Sequence, residues 1–131
     1  MKLCQASFTY DEPGLQQLLV RRLTDRSEFV CVVVVDNAMF QKGKARYQAP
    51  WLRELQRCGA KIFLCKGIGP RGQFHWKDYI IDGKILYHGS CNMTYSSLND
   101  DNFMVRLTGP VVKTALDGLR RARDRCVADS V

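Results

Sequence analysis

Apolar and polar positions along the chain follow two alternating rhythms, one with the period of a strand and one with that of a helix. Residues 2–10, "KLCQASFTY", change sides often enough for a strand. Residues 11–26, "DEPGLQQLLVRRLTDR", place Leu15, Leu18, Leu19 and Leu23 at helical spacing, with Asp11 as the predicted N-cap. Residues 28–36, "EFVCVVVVD", are a continuous β-branched run, the pattern of a strand covered on both faces. A second amphipathic helix is predicted over 48–60, closed by Gly59, and a short strand over 61–65. After the loop "KGIGPRGQ" come two strand-like stretches, "HWKDYII" and "KILYHGS", separated by Asp82-Gly83. Asp-Gly between apolar stretches is a strong hairpin signal. A strand over 102–107 and a helix over 109–127, with Pro110 in its first turn, complete the pattern.

The order βαβαβ, hairpin, strand, helix predicts an α/β fold: one domain over 1–131, a mixed sheet flanked by helices on both faces. No apolar run approaches the ~20 residues needed to cross a bilayer. The first residues lack a long apolar segment or an Arg-rich amphipathic one, so no targeting peptide is expected.

Charge narrows the partners. Twenty Lys and Arg against 13 Asp and Glu give a net +7, which suits nucleic acid, anionic lipid headgroups or phosphate esters. Local excesses lie at 41–46, 66–72 and 120–125, the last on the solvated face of the terminal helix. The six cysteines form no C-x-x-C pair. They read as buried free thiols in a reducing, intracellular compartment rather than as a zinc site or a disulfide framework. "GIGPRG" at 67–72 has the form of a dinucleotide-binding loop, but a strand follows it where that chemistry needs a helix. "NMT" at 92–94 has the form of a glycosylation sequon, with nothing in the chain to suggest secretion.

The hairpin carries the chemistry. A two-residue turn at Asp82-Gly83 sets Ile81 opposite Lys84, Tyr79 opposite Leu86, Lys77 opposite His88 and His75 opposite Ser90. Opposed residues share a face, so His75, Lys77, His88 and Ser90 are predicted to cluster at the open end. Asn92 lies just beyond, and Cys91 points away. A phosphodiester undergoing substitution carries charge on its non-bridging oxygens, which an ammonium, a hydroxyl and an amide can stabilise. An imidazole titrates near neutral pH and can attack as the neutral base or donate a proton as the cation. No carboxylate cage or His/Cys set suited to a metal surrounds these residues, so neither metal nor cofactor is expected. His88 reads as a supporting residue.

"HWKDYIIDGKILYHGSCNMT" resembles the phospholipase D superfamily pattern H-x-K-x4-D followed by G-S-x-N, here His75, Lys77, Asp82, Gly89, Ser90 and Asn92. The resemblance implies a phosphodiesterase in which His75 forms a phosphohistidine, Lys77 and Asn92 hold the phosphoryl oxygens and Ser90 assists. Asp82 is counted with the motif, although its place at the turn suits a structural role. Asp101, in "NDDNFMV", stands nearest to where the family carries a glutamate that orients the nucleophile. A single copy of the motif implies a symmetric homodimer, with His75 of a second copy as proton donor. The family's usual first strand and helix are not seen before residue 2, which would leave a sheet edge exposed. The substrate implied is a phospholipid or a nucleic acid, with peripheral contact to an anionic membrane in the first case. Basic walls at 41–46 and 66–72 would favour nucleic acid; an exposed rim of Phe40, Phe74 or Trp76 would favour lipid. The alternative is a catalytically silent domain that keeps the fold and binds such anions, motivated by aspartate in place of glutamate.

Overall fold

The structure, a computed structural model, describes residues 1–6, 10–25, 28–41, 47–94 and 99–127. In chain order these form β1 (Lys2–Ala6), β2 (Tyr10–Asp11), α1 (Pro13–Asp25), β3 (Val30–Asp36), α2 (Asn37–Gln41), α3 (Ala49–Arg57), β4 (Lys61–Cys65), β5 (Asp78–Ile81), β6 (Ile85–Gly89), β7 (Met93–Thr94), β8 (Met104–Thr108), α4 (Pro110–Arg123) and β9 (Cys126–Val127). Seven strands make one sheet in the order β8-β6-β5-β1-β3-β4-β9. β1, β3 and β4 run parallel, and β5, β6, β8 and β9 each meet their neighbours antiparallel. β2 and β7 form a separate parallel pair. The predicted α/β architecture is present, with the sheet mixed as expected.

β3 shows why an unbroken β-branched run was needed. Cys31, Val33 and Val35 face a core built with Leu19 of α1 and Leu52 and Leu55 of α3. Val34 faces the other side, into a core with Val112, Ala115, Leu119 and Ala122 of α4. Both faces of the central strand are dry, so alternation has no place in its sequence.

Several details differ from the sequence reading. Asp11 belongs to β2, and the first turn of α1 is instead capped by Glu12, whose carboxylate accepts from the backbone N–H groups of Gly14 and Leu15. A carboxylate there satisfies donors that the helix leaves open and sits at the favourable end of its dipole. α3 ends at Arg57, and Gly59, with φ of 105°, closes it as predicted. The last helix stops at Arg123, and Cys126 and Val127 turn back to pair with β4. Cys126 and Cys65 are joined as a disulfide, against the expectation of six free thiols, because this pairing sets the two residues directly opposite one another. Cys4, Cys31, Cys58 and Cys91 are free. Residues 42–46 of the first basic cluster lie outside the described residues.

The hairpin register also differs. Ile81 pairs with Ile85, Ile80 with Leu86, Tyr79 with Tyr87 and Asp78 with His88. The tight turn does form: Lys84 N donates to Ile81 O at 3.0 Å, with φ of 54° at Asp82 and 66° at Gly83. Lys84 then stands outside the ladder, so pairing resumes one residue late. One residue of slip moves each side chain to the other face. His88 therefore shares a face with Asp78 and not with Lys77, and the predicted pairs Lys77–His88 and His75–Ser90 are not made.

Candidate active site in the cleft beside the hairpin

The segment 66–77 enters β5 without being part of it, so His75 and Lys77 lie in extended chain and not in a strand. Its position is fixed by Asp36, by Gly118 and by the stacking of two of its own rings. Asp36, at the end of β3 and only 1% exposed, accepts from Phe74 N at 2.7 Å and from Met39 N at 2.9 Å. Phe74 is buried and stacks on Trp76, with ring centroids 6.1 Å apart and planes 5° from parallel. Trp76 in turn lies on Gly118 of α4, where a Cβ would come within 2.5 Å of the indole. With Phe74 and Trp76 turned inward, the alternating residues His75 and Lys77 face outward as a pair.

The two functional groups touch. Lys77 Nζ is 2.7 Å from His75 Nδ1 and donates to the His75 carbonyl oxygen at 2.9 Å. Partial burial lowers the Lys77 pKa, because the ammonium has lost some of its hydration. Both residues, with Ser90, line a cleft of about 940 Å³ between the hairpin and α4. Ser90 is held in place: its N–H donates to Phe103 O at 3.1 Å, and its hydroxyl donates to Asn102 Oδ1 at 2.9 Å while accepting from Phe103 N at 3.2 Å.

The other sequence-predicted residues are placed differently. Asn92 is half-buried beyond Cys91 and does not line the cleft. Asp101 is exposed, next to Asn102. Asp82 sits at the far end of the hairpin, where its carboxylate accepts from Lys2 N at 2.6 Å and its own N–H donates to Lys2 O at 2.8 Å. It ties the turn to the first residue of β1, because a chain reversal at a sheet end leaves polar backbone groups in need of partners. Cys91 does point away from the cluster. It is buried beside Tyr79, Tyr87, Met93 and Met104 on the opposite face, and burial raises its thiol pKa. A raised pKa leaves little thiolate for nucleophilic work.

Sequence reasoning missed Asp36, Asn102 and the pairing of His88 with Asp78. Asp36 closes an apolar run and gives no local sign that its carboxylate reaches a residue 38 positions away. Of the three residues whose exposure would favour lipid, Phe40 and Phe74 are buried and Trp76 is half-buried. Ile68, 89% exposed, and Val111 border the cleft instead. The loop at 66–72 does carry exposed Lys66 and Arg71.

The chain is similar to known proteins in family profile and in fold. A family profile described as "Cardiolipin synthase, PLD-like domain" matches residues 1–117. NucT from Helicobacter pylori superposes with a TM-score of 0.78 at 16% sequence identity, covering 96% of this chain and 80% of that one. Nuc from Salmonella typhimurium, a phospholipase D family member, gives 0.78 at 16% identity, covering 97% of this chain and 80% of its own. No curated protein sequence matches significantly. The family match over residues 1–117 of the 131 identifies this protein as a member of the phospholipase D superfamily.

Proposed function

We propose that the protein is a phosphodiester hydrolase that works through a covalent bond between phosphorus and His75. A phosphodiesterase-type function follows from its family; the assignment of steps to residues is our reading. The observation that carries it is the direct contact between His75 and Lys77 in a cleft that Ser90 also lines. Lys77 meets the non-bridging oxygens of the incoming diester, and the Ser90 hydroxyl supports them. A ring nitrogen of His75 attacks phosphorus, the bond to the leaving oxygen breaks, and water later cleaves the P–N bond. In the family's arrangement Asn92 would hold the phosphoryl oxygens with Lys77, and Asp101 would stand in for the glutamate that orients the nucleophile. A homodimer, with His75 of a second copy protonating the leaving oxygen, is the arrangement that the family resemblance implies for a chain with one motif. The diester belongs to a phospholipid or a nucleic acid.

The test is hydrolysis of bis(p-nitrophenyl) phosphate. His75→Ala is expected to abolish it while keeping the far-ultraviolet dichroism and melting temperature of the wild type, since His75 is exposed. The phosphoenzyme is to be trapped in alkali, where phosphohistidine survives. Undiminished turnover in His75→Ala removes the proposal.

A further inference from the structure

The bond between Cys65 and Cys126 sits where two cavities meet. Cys65 is the last residue of β4, and the segment 66–77 that delivers His75 and Lys77 follows it directly. Cys126 opens β9, the outermost strand of the sheet, which pairs with β4 only through Leu64 with Val127 and Cys65 with Cys126. The flanking residues are bonded as well: Lys66 N donates to Arg125 O at 3.2 Å, and Arg125 Nε donates to Lys66 O at 3.3 Å. Arg125 lines the cleft of His75, Lys77 and Ser90. Together with Ile68 it also lines a second cavity of about 740 Å³. Cys65 is fully buried, but Cys126 is half-buried and borders that second cavity, where a small thiol can reach it. A two-residue strand at a sheet edge makes few bonds, and such segments open locally at little cost. A covalent link across 61 positions removes that freedom.

We propose that this disulfide is a redox switch on the cleft. Oxidised, it keeps Arg125 in the cleft to bind the phosphate of the substrate; reduced, it lets β9 leave β4 and the guanidinium goes with it. The regulation rests on the phosphodiesterase reading of the same cleft. The reductant is a dithiol. One of its thiolates bonds to Cys126 Sγ, the S–S bond breaks, and Cys65 Sγ leaves as a thiolate that takes up a proton. The second thiolate of the reductant then bonds to its own first sulfur and releases Cys126 Sγ, which is protonated in turn. Two electrons have passed to the protein, and the reductant has become a cyclic disulfide. The cleft loses one cation, while Asp36 and Gly118 still hold the segment of His75 and Lys77, and Phe103 still holds Ser90. The effect therefore falls on substrate binding more than on the chemical step. A guanidinium suits that binding role, since its fork of donors matches phosphoryl oxygens.

The experiment compares the full chain before and after dithiothreitol, with thiols counted in denaturant. Four free thiols are expected before reduction and six after, from the four free cysteines and the one bonded pair. On reduction, KM for bis(p-nitrophenyl) phosphate is expected to rise about tenfold, the range of one lost charge-assisted hydrogen bond, with kcat changed by less than about twofold. Amide hydrogen exchange at 124–127 is expected to accelerate in the same step. Cys126→Ala is expected to show the raised KM with and without dithiothreitol. Arg125→Gln is expected to show it in the oxidised protein and no further rise on reduction, a result that a merely structural crosslink does not give. Six free thiols before reduction, a wild-type KM that reduction leaves unchanged, or a rise in Arg125→Gln as large as that of the wild type overturns the switch while hydrolysis through His75 stands. No turnover by the wild type in either state overturns the hydrolase reading and this regulation with it.

Discussion

Lys77 is the residue at which sequence and chemistry meet most directly. Its ammonium lies against the His75 ring, and its burial destabilises the charged form. Removing a preorganised donor from a developing oxyanion costs about 10²–10³ in rate. Lys77→Gln is expected to fall by that factor in turnover, with its melting temperature close to that of the wild type. The sign of the pH dependence follows from the lowered pKa. Lys77 is charged below that value, so the activity that depends on it is lost as pH rises through it. The alkaline limb of kcat/KM then lies at lower pH than an ordinary lysine would give. Lys77→Arg, whose guanidinium stays charged, is expected to move that limb upward even where its rate is lower. The contact between His75 and Lys77 was legible from their spacing, since alternate residues of an extended chain share a side. The place of Asn92 outside the cleft lining was not, because it depends on where β6 ends.

Elements place these residues, and α4 does so through a glycine. Gly118 lets Trp76 lie against the helix, and Trp76 is backed by the buried ring of Phe74. Gly118→Ala gains about 1 kcal/mol in helix propensity. The added methyl, 2.5 Å from the indole, forces the Trp76 ring to shift, and overpacking of this kind costs typically about 1–3 kcal/mol. The clash is expected to win: the variant unfolds at lower denaturant concentration with an unchanged m-value. It also loses turnover, because a displaced Trp76 moves the residues on either side of it. The hairpin shows what a sequence states about elements and what it leaves to the fold. Asp-Gly announced the turn correctly. The extra residue at Lys84 was not visible because the turn is also held by Lys2, 80 positions away, through both backbone and carboxylate of Asp82. That long-range tie accompanies the register in which Asp78 meets His88. The α/β class, by contrast, was readable in local pattern alone, from one dry strand and three amphipathic helices.

For the molecule as a whole, the question is how many copies make one working site. The family resemblance implies two. The cleft carries two imidazoles in one chain, His75 and His88. With His75 of a second copy as proton donor, specific activity is expected to fall in step with the dimer fraction as sedimentation velocity detects dissociation to monomers. A specific activity that stays constant through that range overturns the two-copy site. The net charge of +7 acts at this scale too. It draws polyanions from a distance, so inhibition by a competing polyanion is expected to weaken steeply with added salt.

The Phe74–Trp76–Gly118 stack also makes the protein its own optical probe. The chain has two tryptophans, and Trp51 lies with the core on the other side of the sheet, away from the cleft. In a Trp51→Phe background, the fluorescence reports one indole that borders the cleft, so the filling and emptying of that space can be followed as a change in emitted light.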